Sequence, residues 1–168
     1  MSKRTTGFER RWRDYYPTID PAAIEPIKKF VTDKIYFEPC VGEGHLVTLL
    51  EPYAKCTDSC DTERNALTLE KKDLANASLF ITNPPYTWSM LEPLLKHLPY
   101  IAPTLLLLPA DMMHNKRMSP YMQRCSTIWS VGRLYWQPNK IKGKDNYVWM
   151  YFTDAVTTAS LFHGRQNV

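Results

Sequence analysis

Apolar positions recur along the chain with two periods. A near-continuous apolar run such as "TLLLLP" predicts a strand with both faces covered, "SLFI" looks like a buried strand, and "KIYFEP" predicts a short strand. Between them lie stretches with helical spacing. "DPAAIEPIKKFV" opens with Asp20 at an N-cap position and Pro21 at the first helical position, and it predicts a helix. "GHLVTLLEPYA" predicts a second, with Leu46, Leu49 and Leu50 on one face. "SMLEPLLKHLPYI" predicts a third, with Pro93 near its start, and "SPYMQRCS" a short fourth. "CTDSCD" and "LEKKDL" are read as two further strands. "TIWSVGRLYW" and "NYVWMYFTD" predict two late strands joined by the polar, basic loop 137–146.

Strands that alternate with helices predict a parallel α/β sheet. The last two strands are linked without a helix, so they form an antiparallel hairpin. The expected fold is a mostly parallel seven-stranded sheet with a C-terminal antiparallel hairpin. Ligands of such sheets bind beyond the carboxyl ends of the strands, where the strand order reverses. At 168 residues the chain is expected to be one domain, 1–168.

Composition adds little to class but something to partners. Hydrophobic residues make up 44% and charged residues 23%, as in ordinary globular chains. No apolar run approaches the roughly 20 residues of a membrane span. The first 16 residues are charged with no apolar stretch behind them, so a cytoplasmic protein is expected. Cys40, Cys56, Cys60 and Cys125 read as reduced thiols in that setting, and the four scattered histidines imply no metal. The net charge of +4 is clustered. Lys3, Arg4, Arg10, Arg11 and Arg13 form a basic N-terminal arm, 1–13. Lys116, Arg117 and Arg124 lie mid-chain, and Arg133, Lys140, Lys142 and Lys144 lie late, beside Tyr135 and Trp136. Basic clusters interleaved with aromatics suit nucleic acid, and equally a merely solvated surface.

The chemistry gathers at predicted strand tips. "FEPCVGEGHL" places Gly42 and Gly44 between a strand and a helix, where backbone can approach a ligand and helix N–H groups are free. Glu38 and Pro39 stand at that tip, and the Glu38 anion could meet an ammonium. Val47 holds the third position of the dinucleotide-binding G-x-G-x-x-G pattern, which weighs against a dehydrogenase. Asp61 ends the next strand at a distance suited to ribose hydroxyls, and Asp73 could receive an adenine amine. No phosphate-binding lysine signature is present. A nucleoside carrying an ammonium and a carboxylate fits this set.

Asn83-Pro84-Pro85-Tyr86 follows the "SLFI" strand. The Asn83 side-chain carbonyl and the Pro84 main-chain carbonyl, held by fixed φ, can both accept from one NH2. Two acceptors draw the nitrogen lone pair out of conjugation and aim it at an electrophilic methyl group. Tyr86 supplies a face for a flat target. As plain architecture the same tetrapeptide is a sharp turn.

Together these elements resemble class I S-adenosylmethionine-dependent methyltransferases that act on exocyclic amino nitrogens, most nearly small phage-encoded DNA adenine methyltransferases. The resemblance rests on E-P-x-x-G-E-G at 38–44, F-I-T-N-P-P at 80–85 and V-G-R-x-x-W-x-P…G-K-D-N at 131–146, and it spans about residues 14–153. It implies a Rossmann-like fold with S-adenosyl-L-methionine as cofactor. Glu38, Pro39, Gly42 and Gly44 would meet the methionine end, with Tyr16 and Thr18 near its carboxylate. Asp61 would hold the ribose and Asp73 the adenine, while Asn83 to Tyr86 would position the target. Adenine N6, cytosine N4 and protein glutamine are all targets of such enzymes. DNA is the preferred partner, with RNA or protein glutamine as alternatives, and a cofactor-binding interaction protein with little catalysis is a further one.

No separate target-recognition domain is expected, so sequence specificity should be low or short. A duplex base would have to be flipped out, at a cost of a few kcal/mol. Arg10, Arg11, Arg13, Lys116, Arg117, Arg133, Lys140, Lys142 and Lys144 are the expected phosphate contacts. Trp88 and Trp136 are candidates for stacking or wedging, and equally for packing.

Overall fold

The computed structural model describes residues 16–61 and 64–165. One sheet holds β1 (Ile35–Glu38), β2 (Lys55–Ser59), β3 (Leu79–Thr82), β4 (Thr104–Pro109), β5 (Cys125–Tyr135), β6 (Lys142–Phe152) and β7 (Leu161–His163). Their order is β2-β1-β3-β4-β6-β5-β7. The first four positions are parallel, β6 is antiparallel to both β4 and β5, and β7 is parallel to β5. From β1 the chain moves outward to β2 and then returns to β3 on the other side. The order therefore reverses between β1 and β3, and the tips carrying Glu38 and Asn83 sit side by side.

Alternate residues of each strand enter opposite layers. Leu105 and Leu107 of β4 face a layer with Ile24, Ile27, Val31, Leu46 and Leu50. Leu106 and Leu108 face the other side, with Leu91 and Leu95. The first layer is covered by α1 (Lys28–Val31) and α2 (His45–Leu50), the second by α3 (Trp88–Ile101) and the short α4 (Ser119–Met122). No helix of the described residues is long and apolar enough to cross a membrane.

Four expectations change. Asp20 does cap the segment after it, accepting from the Ala22 amide at 3.0 Å. That segment is not one helix, however. It is two single 3-10 turns, Pro21–Ala23 and Glu25–Ile27, followed by the one-turn α1, because Pro26 has no N–H to continue a helical ladder. "LEKKDL" is not a strand but a 3-10 turn, Lys71–Leu74, closed by reciprocal Glu70 and Asp73 caps. The seventh strand is instead Leu161–His163, whose exposed three residues carry no alternation to read. The loop 137–146 is shorter than expected: β6 already begins at Lys142, so Lys142 and Lys144 sit on a strand. The hairpin projects past β4, whose last partner on β6 is Tyr147, while Arg133 still pairs with Asn146 and Tyr135 with Lys142.

Candidate active site

β1 is buried almost throughout because it lies between β2 and β3. Its tip carries Glu38, only 1% exposed. Glu38 Oε1 accepts from the Cys40 amide at 3.1 Å, whereas Oε2 has no hydrogen-bond partner among the described residues. Burial pushes the carboxyl up to about 8, with the nearby Thr82 hydroxyl and the Cys40 amide pulling partly back. Thr82 Oγ1 at the neighbouring tip is also buried, with no hydrogen-bond partner among the described residues. A buried carboxylate oxygen and a buried hydroxyl left open at one edge suit a ligand with hydrogen-bond donors.

The turn after β1 keeps the left-handed conformation expected of glycine, with Gly42 at φ 51° and Gly44 at φ 78°. The Cys60 amide donates to the Glu38 main-chain carbonyl and the Val41 amide to the Cys60 carbonyl, both at 2.9 Å. These bonds tie the β1 and β2 tips together and hold the glycine turn open, with nothing within 4 Å of a side chain built at Gly44. Pro39 is buried beneath the turn and Asp61 is exposed beyond β2. Asp73 is engaged elsewhere: its Oδ2 accepts from the Glu70 amide at 2.8 Å, and Oδ1 lies 3.7 Å from the Arg64 guanidinium.

β3 delivers the tetrapeptide. Asn83 Nδ2 donates to the Tyr16 carbonyl at 2.8 Å and to Thr18 Oγ1 at 3.0 Å. A main-chain carbonyl can only accept, so the amide orientation is fixed and Oδ1 is left as the acceptor. Tyr86 takes that acceptor, its hydroxyl donating to Asn83 Oδ1 at 2.5 Å. Burial, then Tyr147 and Tyr16, push the Tyr86 hydroxyl well above its ordinary value, so it is a neutral donor. Tyr16 and Thr18, expected near a methionine carboxylate, thus lie against Asn83 as well.

Four rings from four segments surround this point. Tyr16 stacks on Tyr86 at 5.6 Å with 21° between planes. Trp136 meets Tyr16 edge-on at 5.6 Å and Tyr147 at 4.9 Å, and Tyr147 lies 5.9 Å from Tyr86. Trp136 is only 5% exposed and belongs to this cluster, so of its two readings, surface wedge and packing, the structure shows packing. Tyr147 went unrecognised in the sequence. Its signal there is no more than the first aromatic of a buried run, and its proximity to Tyr86 arises from β6 pairing beside β4. Trp88 is half-buried and packs edge-on to Tyr121 at 6.1 Å.

Lys116, Arg117, Arg133, Lys140, Lys142 and Lys144 are all exposed. The β4 and β5 ends and the β6 start share the sheet edge that carries Asn83, so Arg133, Lys140, Lys142 and Lys144 lie on the hairpin at that edge, and Lys116 and Arg117 on the connection between β4 and α4. Arg10, Arg11 and Arg13 lie outside the described residues.

No protein-family model matches the sequence, and no curated protein sequence does. Solved structures do match. One is assigned as a modification subunit of a type I restriction enzyme from Vibrio vulnificus YJ016, with TM-score 0.54 at 9% identity, covering 89% of this chain and 47% of that one. A second is assigned as a class I S-adenosylmethionine-dependent methyltransferase from Listeria monocytogenes, with TM-score 0.48 at 9% identity over 86% of this chain and 62% of that one. A third is a dimethyladenosine transferase from Plasmodium falciparum, with TM-score 0.43 at 18% identity over 79% and 59%. The chain spans between about half and three fifths of the length of these proteins. What the chain shares with the first of these is its architecture alone, a Rossmann-like α/β fold.

Proposed function

We propose that the chain transfers a methyl group from S-adenosylmethionine to an exocyclic amino nitrogen, with adenine N6 in DNA as the target. The observation that carries this reading is the fixed Asn83 carboxamide at the β3 tip, whose Oδ1 is held as an acceptor beside an aromatic face. The cofactor fits the residues present. Among the described residues, Glu38 Oε2 is a buried acceptor without a partner beside an open glycine turn, as an ammonium group requires. Glu38 would hold the ammonium, Gly42 and Gly44 would let the chain pass close, and Asp61 would meet the ribose. When bound there, the cofactor supplies an electrophilic methyl group.

The chain's own residues do the rest. Asn83 Oδ1 and the Pro84 carbonyl accept from the target NH2 and turn its lone pair away from the ring. Tyr86 supports the ring. No general base is needed before transfer, because the nitrogen turns acidic only as it is alkylated. The surrounding aromatic burial excludes water and strengthens both hydrogen bonds. The exposed cations flanking the edge would hold phosphates on either side of a flipped base.

The direct test offers DNA, RNA and a glutamine-containing protein substrate side by side, with methyl-labelled cofactor. Label in DNA is expected. Label only in RNA or protein would overturn the substrate, and binding of cofactor without label in any polymer would favour an interaction protein.

A further inference from the structure

The target site is already filled by the chain itself. Tyr16 covers Tyr86 in a near-parallel stack, and the Tyr86 hydroxyl occupies the Asn83 acceptor. A base between the two rings would need about 7 Å, two contact distances of about 3.5 Å. The centroids are 5.6 Å apart, so no ring fits between them as they stand. One partner must move. Tyr86 follows two prolines and backs onto Tyr147, which is 5% exposed and paired in β6 with Pro109 and Gly132 on either side. Tyr16 is half-buried and lies in no helix or strand.

We propose that Tyr16 is a gate over the target site, and that the site opens for a ligand that replaces both contacts, a flat ring on Tyr86 and an NH2 donor on Asn83. This rests on the amino-methylation reading and narrows it. A glutamine side chain brings the NH2 but no ring to offset loss of the Tyr16 stack. Thymine or uracil brings the ring but no NH2 to replace the Tyr86 hydroxyl. An amino-bearing nucleobase brings both. The Tyr16 main-chain carbonyl stays on Asn83 Nδ2 while its ring swings away, so the acceptor keeps its orientation as the gate opens.

The test combines kinetics with a reading of the ring itself. At saturating cofactor, Tyr16→Ala is expected to lower KM for a DNA oligonucleotide by about 5- to 150-fold, the worth of the two aromatic pairs its ring makes with Tyr86 and Trp136, with kcat changing less. Tyr16→Phe, which keeps the ring, is expected to lower it less than Tyr16→Ala. Fluorotyrosine placed at position 16 is then followed by fluorine NMR. Its resonance is expected to move with an adenine oligonucleotide, and not with the same oligonucleotide bearing unsubstituted purine or with a glutamine peptide. A KM that is unchanged or raised in Tyr16→Ala overturns the gate, as does a resonance that the peptide moves as far as the oligonucleotide. If no polymer is methylated, the amino-methylation reading falls, and the fluorine spectrum still decides the gate because it needs no turnover.

Discussion

The Asn83 side chain donates to the main-chain carbonyl of Tyr16, 67 positions earlier, at 2.8 Å. That bond decides what Asn83 can do. It commits the NH2 end of the carboxamide to the segment before the sheet and leaves the oxygen facing Tyr86. The acceptor at the proposed target site is thus built by two distant stretches of chain.

Removing that acceptor tests the chemistry. Asn83→Ala is expected to cut kcat by about 100-fold or more, the usual loss for one positioned group in an enclosed site. The same change strips the Tyr16 carbonyl and the buried Thr18 hydroxyl of their donor, so it is also expected to cost about 1–3 kcal/mol of stability, too little to account for the loss of rate while the protein stays folded. Steady-state rates and thermal melts measured together check both halves.

Glu38 links stability to pH. Its folded value is raised to about 8 from 4.5 because burial disfavours the charged form. The protein therefore has its full stability with respect to this group below about pH 4.5, and loses it as pH rises from there through about 8. Glu38→Gln is expected to be more stable than the parent at pH 9, by about 1–3 kcal/mol after the cost of an unpaired amide, and no more stable at pH 4.5. The same variant should bind S-adenosylhomocysteine about 10- to 100-fold more weakly, having lost a charged acceptor. Chemical denaturation at the two pH values and calorimetry with the ligand check these.

The basic hairpin should act through phosphates. Lys142→Ala combined with Lys144→Ala is expected to reduce the slope of log K against log salt by about 2, whatever the DNA sequence. A loss that depended on base sequence would contradict a phosphate role. Salt titrations of two unrelated duplexes read it.

Asp20 is the structural counterpart. It is 4% exposed and receives two amides, Ala22 at 3.0 Å and Tyr135 at 3.1 Å, the latter 115 positions away. Asp20→Ala leaves two donors unmet and is expected to cost about 2–4 kcal/mol by denaturant unfolding.

What could be read from the chain follows from how local each signal is. The N-P-P-Y turn, the two glycines and the buried strands "SLFI" and "TLLLLP" act within a few residues, and they lie where their patterns place them. "LEKKDL" misled because Leu69 and Leu74, both buried, bracket a polar stretch whose caps pair with each other, not with a neighbouring strand. β7 went unseen because its parallel partner β5 ends 26 positions earlier, with only exposed residues to mark it. The ring cluster went unseen for a similar reason. Tyr16, Tyr86, Trp136 and Tyr147 meet only once β6 lies beside β4, and no spacing along the chain encodes that.

The central claim is that Asn83 and Tyr86 hold a nucleobase amino group for methylation. The most direct measurement digests DNA treated with the protein and labelled cofactor, and identifies the methylated nucleoside by mass spectrometry, for the parent and for Asn83→Ala. The expected result is N6-methyladenine from the parent, with little or none from the variant. Label on a carbon atom of any base, or equal amounts of N6-methyladenine from both proteins, would contradict it.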